Sequence, residues 1–354
     1  MFYQVCLSCY STDNEIKLFQ NKKRQKFDLP LLAFICKIAS KFAGNMKKIS
    51  VVLTTLLISS TLFAQSTFEF LKLDTSPRAA AVAGSFVANN DDPNVIFYNP
   101  AGINLLTGTP VSFSFLKHVL DINSASLTYL KEFDGIGRFA AGVQYINYGS
   151  FIKADASGTK LGEFRAGEMA LLIGYGNQLD NNFYYGANLK FIYSSIADQS
   201  STGLAFDLGL HYAIPESRWN FGFSILNLGK QLSSYFNIKE DLPLDVRFGF
   251  SKELEKLPFK FYLSFNRLNE KQDNFFDRFG QITLGGEFRL GQSMRLRFGY
   301  DNEKRREMKI GTSAGLAGFS VGLGFIVSKY NVDYSFSSMG SIGALHRFGI
   351  STNL

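Results

Sequence analysis

The chain has 354 residues, 46% hydrophobic and 15% aromatic, with 32 Gly and 36 Phe. No run of about twenty apolar residues occurs, which excludes a membrane-spanning helix and leaves apolar character spread along the chain. The net charge of +7 does not point to nucleic acid, because residues 1–45 carry +4, Lys47 and Lys48 add two more, and only +1 remains for the rest.

The N-terminal region reads as targeting sequence. Met46-Lys47-Lys48 followed by the apolar stretch 49–63 has the layout of a secretory signal, with Ala64 at a cleavage position before Gln65. Residues 46–64 are therefore expected to be a signal peptide, and residues 1–45 a spurious upstream extension. All three cysteines (Cys6, Cys9, Cys36) lie in that extension. The exported part would then hold itself together without disulfides, which a closed sheet can do.

Residues 65–108 have no strand pattern. Pro77-Arg78-Ala79-Ala80-Ala81 predicts a short helix with Pro77 in its first turn and Gly84 just past its end. Asp91-Asp92-Pro93 turns the chain, and Asn99-Pro100-Ala101-Gly102 follows. In front of a barrel, such a helical and looped segment is expected to be a hatch packed inside the lumen, where its backbone can be satisfied.

From Thr109 to the end, residues 109–354, the sequence alternates. In 183–194, Phe183, Tyr185, Ala187, Leu189, Phe191 and Tyr193 share one face, and Gly186, Asn188, Lys190 and Ser194 fall on the other. Period-two alternation with the length of a tilted membrane strand repeats through fourteen candidate strands. The predicted fold is all-β, a 14-stranded antiparallel transmembrane β-barrel with a short N-terminal helical and looped hatch in its lumen. Connections support this reading. Asp134-Gly135, Glu255-Lys256, Gly291-Gln292 and Ser328-Lys329 are short, and 149–163, 227–242, 268–277 and 301–314 are long. Short turns on one side and long loops on the other are the habit of outer-membrane barrels. Lys190, Asp207, Asp245, Arg247, Glu287, Arg289, Arg295 and Arg297 all fall on the face away from lipid. Turned to lipid at the midplane, each Arg or Lys would cost about 2–4 kcal/mol. Glycines on the same face leave room for a plug.

The alanine-rich helix, the acidic-Pro turn and Asn99-Pro100-Ala101-Gly102 resemble the hatch of fatty-acid-transporter-like outer-membrane barrels, including the PorV/PorQ family of the type IX secretion system. Residues 66–71 (STFEFL), 139–149 (FAAGVQYINYG), 186–195 (GANLKFIYSS), 203–209 (GLAFDLG), 315–324 (GLAGFSVGLG) and 346–354 (HRFGISTNL) resemble PorQ-type members, and the similarity spans 66–354. One departure is the C-terminal Leu354, where many such barrels end in an aromatic residue. The resemblance implies a non-enzymatic bacterial outer-membrane component of an attachment complex, with no cofactor. It implies protein partners: a PorZ-like surface protein to tether, and PorV and PorU counterparts that carry and process cargo destined for lipopolysaccharide. Tethering would fall to the long loops. The competing readings are a hatch-gated transporter of hydrophobic molecules and a PorV-like cargo carrier.

Catalytic and metal-binding residues are not expected. His118, His211 and His346 lie on separate strands or turns without a second ligand at metal spacing. Ser114-Phe115-Leu116-Lys117 matches an S-x-x-K pattern, but it reads as a strand and its partner motifs are missing.

Overall fold

In a computed structural model, described over residues 66–236, 238–270, 280–309 and 315–354, the alternating segments close into one barrel. The expected extension 1–45 and signal 46–64 lie outside the described residues, as do parts of the 227–242, 268–277 and 301–314 connections. The strands are β1 (Pro110–Lys117), β2 (Asn123–Phe133), β3 (Gly137–Ala154), β4 (Lys160–Asp180), β5 (Phe183–Ile196), β6 (Gln199–Ile214) and β7 (Trp219–Ser233). They continue as β8 (Asp245–Glu253), β9 (Phe259–Phe265), β10 (Ile282–Leu290), β11 (Met294–Asp301), β12 (Phe319–Val327), β13 (Tyr330–Ser338) and β14 (Ala344–Asn353). Each pairs antiparallel with its sequence neighbours, and β1 pairs with β14 from Pro110↔Asn353 to Lys117↔His346. The wall thus has no open edge, which satisfies the ladder that lipid could not.

The outward face is apolar. Phe191 is 42% exposed, Ile173 66%, Leu208 48% and Val321 50%, while Lys190 between them is only 4% exposed. A continuous belt of this kind belongs in hydrocarbon and not in water. Toward the end that carries the short turns, ring contacts run through Phe133, Phe139, Tyr175 and Tyr185, and again through Trp219, Phe221, Phe250 and Phe261. They form the aromatic girdle expected at a membrane interface. Gly286 interrupts the outward stripe of β10, and the rings of Phe259, Phe288 and Phe298 close over the gap.

The end with the long connections departs from the sequence expectation in four places. The stretch 149–163 is strand and not loop: β3 and β4 continue pairing out to Ala154↔Lys160. The ladders to their other neighbours stop at Asn147 and Ala166, and apart from Ala197 N–H donating to Arg165 O at 3.0 Å, 149–165 stands as a two-stranded ribbon clear of the wall. Strict alternation of short and long connections fails at β5–β6, where Ala197-Asp198 alone reverse the chain, with Ala197 at φ 53°. The connection from 301 starts with helix α2 (Asn302–Glu307), capped by Asp301. Likewise β7 runs on to Ser233 through a bulge at Asn227, which has φ 61° and turns both Leu226 and Asn227 inward.

Candidate functional site

The hatch fills the lumen. Thr67 N–H donates to Asp241 O at 3.0 Å, which places the start of the described chain beside the β7–β8 connection at the long-loop end. Helix α1 (Pro77–Ala81) begins with Pro77 at its first position, and the Ser76 hydroxyl accepts from Ala79 N–H. Two 3-10 turns follow, Pro93–Phe97 and Pro100–Leu105, each opened by a proline and capped by the preceding Asp92 or Asn99. The chain then leaves at the short-turn end into β1, so the hatch threads the barrel from one end to the other.

Asn99-Pro100-Ala101-Gly102 docks this thread to the wall. The Asn99 side-chain oxygen accepts from Ala101 N–H at 3.1 Å, and its amide donates to Val87 O at 2.9 Å and to Leu210 O of β6 at 3.0 Å. A fully buried amide is tolerated only when so satisfied. The facing wall residues are glycine because nothing larger fits. A Cβ on Gly209 would stand 2.1 Å from the Asn99 side-chain oxygen, and one on Gly186 would stand 2.5 Å from the Pro100 carbonyl carbon. Elsewhere the wall donates to hatch carbonyls: Ser126 to Thr75, Gln144 to Phe70, Ser224 to Tyr98 and Ser251 to Ala88. Irregular backbone at membrane depth is thereby satisfied. Apolar contacts complete the seal, with Val95, Ile96 and Ile103 of the hatch against Leu130, Ala140 and Leu172 of the wall.

Six of the eight sequence-predicted charges form three groups on the inward side, and Arg289 and Arg295 stand apart from them. Lys190 and Asp207 pair at 2.9 Å, and Asn188 and Asn227 hydrogen-bond to them, with Asn188 also donating to Ile96 O of the hatch. Glu287 is 2% exposed and receives Arg78 of α1 at 3.0 Å and Arg297 of β11 at 2.5 Å, and Arg297 also pairs with Asp333. Arg78 continues to Asp91 at 3.0 Å, which Lys260 of β9 also meets at 3.3 Å. Arg289 makes a two-pronged pair with Glu253 at 2.7 and 3.0 Å, outside that cluster, and among the described residues Arg295 donates to the carbonyls of Gly291 and Met294 alone. At the long-loop end, Asp245 and Arg247 pair at 2.6 Å, and Arg247 lies over the ring of Tyr98 at 5.6 Å.

Sequence reasoning missed the hatch half of these contacts: Arg78, Asp91 and Asp74. The signal available was Arg78 itself, a lone cation in an alanine helix expected to lie inside a barrel. Burial alone would raise the Asp91 carboxyl, but Arg78 and Lys260 hold it well below the usual carboxylate range. Burial is likewise outweighed at Asp74 by Lys304, Arg347 and Arg247, which hold its carboxyl down. Asp92 goes the other way: burial keeps its carboxyl above the usual value against the pull of Arg78 at 3.6 Å.

The three histidines remain apart. His118 sits in the β1–β2 turn, where partial burial and Arg347 press its pKa down to about 4. His211 meets Asn220 at 3.2 Å on the inward side, and His346 meets Tyr334 at 2.8 Å on the outward side. Ser114 lies on β1 between the outward rings of Phe113 and Phe115. Among the described residues no group of three His, Cys, Asp or Glu side chains is placed to hold a metal ion.

Two cavities flank the hatch. One, of about 400 Å³, opens at the short-turn end among Arg78, Asp91, Arg289, Arg295 and Asn353. The other, of about 330 Å³, lies at the long-loop end among Asp74, Arg247, Lys304 and Arg347. Charged side chains line both.

No protein-family model and no curated protein matches the chain. Solved structures do. The Ralstonia pickettii toluene transporter TbuX aligns with a TM-score of 0.55 at 12% identity, over 79% of this chain and 98% of TbuX. A deltaS2S3 mutant of the monoaromatic hydrocarbon channel TodX aligns with a TM-score of 0.53 at 12% identity, over 79% of this chain and 99% of that one. A Pseudomonas aeruginosa FadL homologue aligns with a TM-score of 0.51 at 10% identity, over 79% and 98%. At these identities the likeness is one of fold. The chain is a closed 14-stranded membrane β-barrel with the architecture of those proteins and a lumen filled by its own N-terminal segment.

Proposed function

We propose that this chain is a non-enzymatic barrel of the bacterial outer membrane that works with its lumen closed. In this reading it is a PorQ-type component of the type IX secretion system and holds a PorZ-like surface partner in the cargo-attachment complex. The observation that carries the closed-barrel reading is the fit of hatch to wall: glycine sockets, satisfied backbone carbonyls and the Arg78–Glu287–Arg297 cluster. The ribbon 149–165 supports a tethering role. It stands clear of the wall at the long-loop end with Phe151, Ile152 and Leu161 exposed and the Phe151 and Phe164 rings stacked at 5.3 Å. Exposed apolar side chains on a projecting ribbon suit a protein partner. The secretion assignment itself rests on the sequence resemblance across 66–354.

A second reading has its own support. The similar solved structures are named as a toluene transporter, a monoaromatic hydrocarbon channel and a FadL homologue, which favours a hatch-gated transporter of small hydrophobic molecules. Against it stands the charged, mainly polar lining of the cavity at the short-turn end, which suits apolar cargo poorly. One comparison separates the readings. In a strain lacking the gene, lost surface display of secreted cargo with normal uptake of toluene or fatty acid supports tethering. Lost uptake with normal display overturns it in favour of transport.

A further inference from the structure

We propose that the cavity at the short-turn mouth is a binding site for an oxyanion, a phosphate or a carboxylate, with Arg295 as its principal ligand. The argument begins with register. On β10 and β11, Arg289 and Arg295 stand directly opposite one another, two residues from either end of the turn. Like charges in that position repel, and a wall built for stability alone would not place them there. Glu253 neutralises Arg289 through both prongs of its carboxylate. Arg295 has no such partner: among the described residues its hydrogen bonds both come from Nη1, to Gly291 O at 3.1 Å and to Met294 O at 3.0 Å. Those two carbonyls fix the side chain and leave Nε and Nη2 available, the edge with which a guanidinium grips a carboxylate or phosphate. That side chain lines the 400 Å³ cavity, which is large enough for a lipid headgroup or a free anion.

The inner cluster does not supply the missing anion. Glu287 is taken by Arg78 and Arg297, Asp333 by Arg297, and Asp91 by Arg78 and Lys260. The remaining cation is therefore left at the mouth, on the side from which a ligand would arrive. The inference is independent of the choice between tethering and transport, since both leave this mouth open to the compartment the short turns face.

The test uses the full chain purified in detergent, in a buffer free of phosphate and carboxylate, titrated calorimetrically with inorganic phosphate. Saturable binding is expected, weakened at least tenfold by Arg295→Gln, partly restored by Arg295→Lys, and unchanged by Lys153→Gln on the distant ribbon. Heat-modifiable gel mobility checks that each variant is folded. Repeating the titration in phosphatidylcholine nanodiscs, with and without phosphatidylglycerol, identifies the source: competition by phosphatidylglycerol assigns a lipid headgroup, and equal binding in both assigns a free anion. No saturable binding by the natural chain, or equal binding by a folded Arg295→Gln variant, overturns the proposal.

Discussion

At the scale of single residues, Glu287 is the point on which the hatch depends most. Its carboxylate is buried and shared by Arg78 of the hatch and Arg297 of the wall. Removing one member of a buried ion cluster strands the others, at a cost of about 3–5 kcal/mol. Glu287→Gln should therefore lower the unfolding free energy measured by urea titration by that amount, whereas Glu253→Gln, at a partly exposed pair, should change it by less than about 1 kcal/mol. Gly209 and Gly222 test packing instead of charge. Alanine at either would put its Cβ 2.1 Å from a hatch oxygen, of Asn99 or of Val87. Overpacking of this kind costs about 1–3 kcal/mol, and protease sensitivity of the hatch should rise in Gly209→Ala and Gly222→Ala. Acid is a separate probe. Asp91 and Asp74 are depressed in the folded chain, so their contribution is present above the ordinary carboxylate range and is lost only as pH falls through their lower folded values. Asp92, raised, works in the opposite sense and gains on protonation. Hatch protection against protease should thus persist at pH 5, where an unpaired carboxylate begins to protonate.

Elements show how much was legible and why. Every strand of the wall meets lipid on one side and hatch or lumen on the other, so period-two alternation is written plainly into segments such as 183–194. Lys190, Asp207 and Glu287 could be assigned a face for the same reason. Alternation cannot say where pairing stops. The stretch 149–163 reads as a loop because glycine, small and polar residues interrupt its alternation, yet backbone hydrogen bonds to its own partner strand carry it on as a ribbon. The Asn227 bulge and the tight Ala197-Asp198 reversal are likewise local backbone choices that leave the stripe intact. Contacts between hatch and wall were least legible of all. Arg78 and Glu287 are 209 positions apart, and no periodicity links them. The Asn99-Pro100-Ala101-Gly102 motif was visible as a turn, but its reach to Leu210 was not. Because residues 150–163 are exposed throughout and pair with one another, this part of the ribbon should be dispensable for folding. Replacing 150–163 by a short turn should leave heat-modifiable mobility unchanged and abolish co-purification of a surface partner. Retained co-purification would remove the ribbon from the tethering proposal.

For the whole molecule, the wall and the hatch are one design. The wall closes on itself through β1 and β14, and the chain that precedes β1 has already passed through the lumen. Sockets of glycine, a ladder of donated hydrogen bonds and buried charge then hold that thread against the wall. Both the tethering and the transport readings take this closed resting state as their starting point; they differ in whether the hatch ever moves. The most direct measurement is electrical: the purified natural chain reconstituted into a planar lipid bilayer, with ion current recorded at moderate voltage. The account expects insertion without conductance steps. Stable, large steps from the natural chain would mean that the lumen is open and that the hatch does not close it.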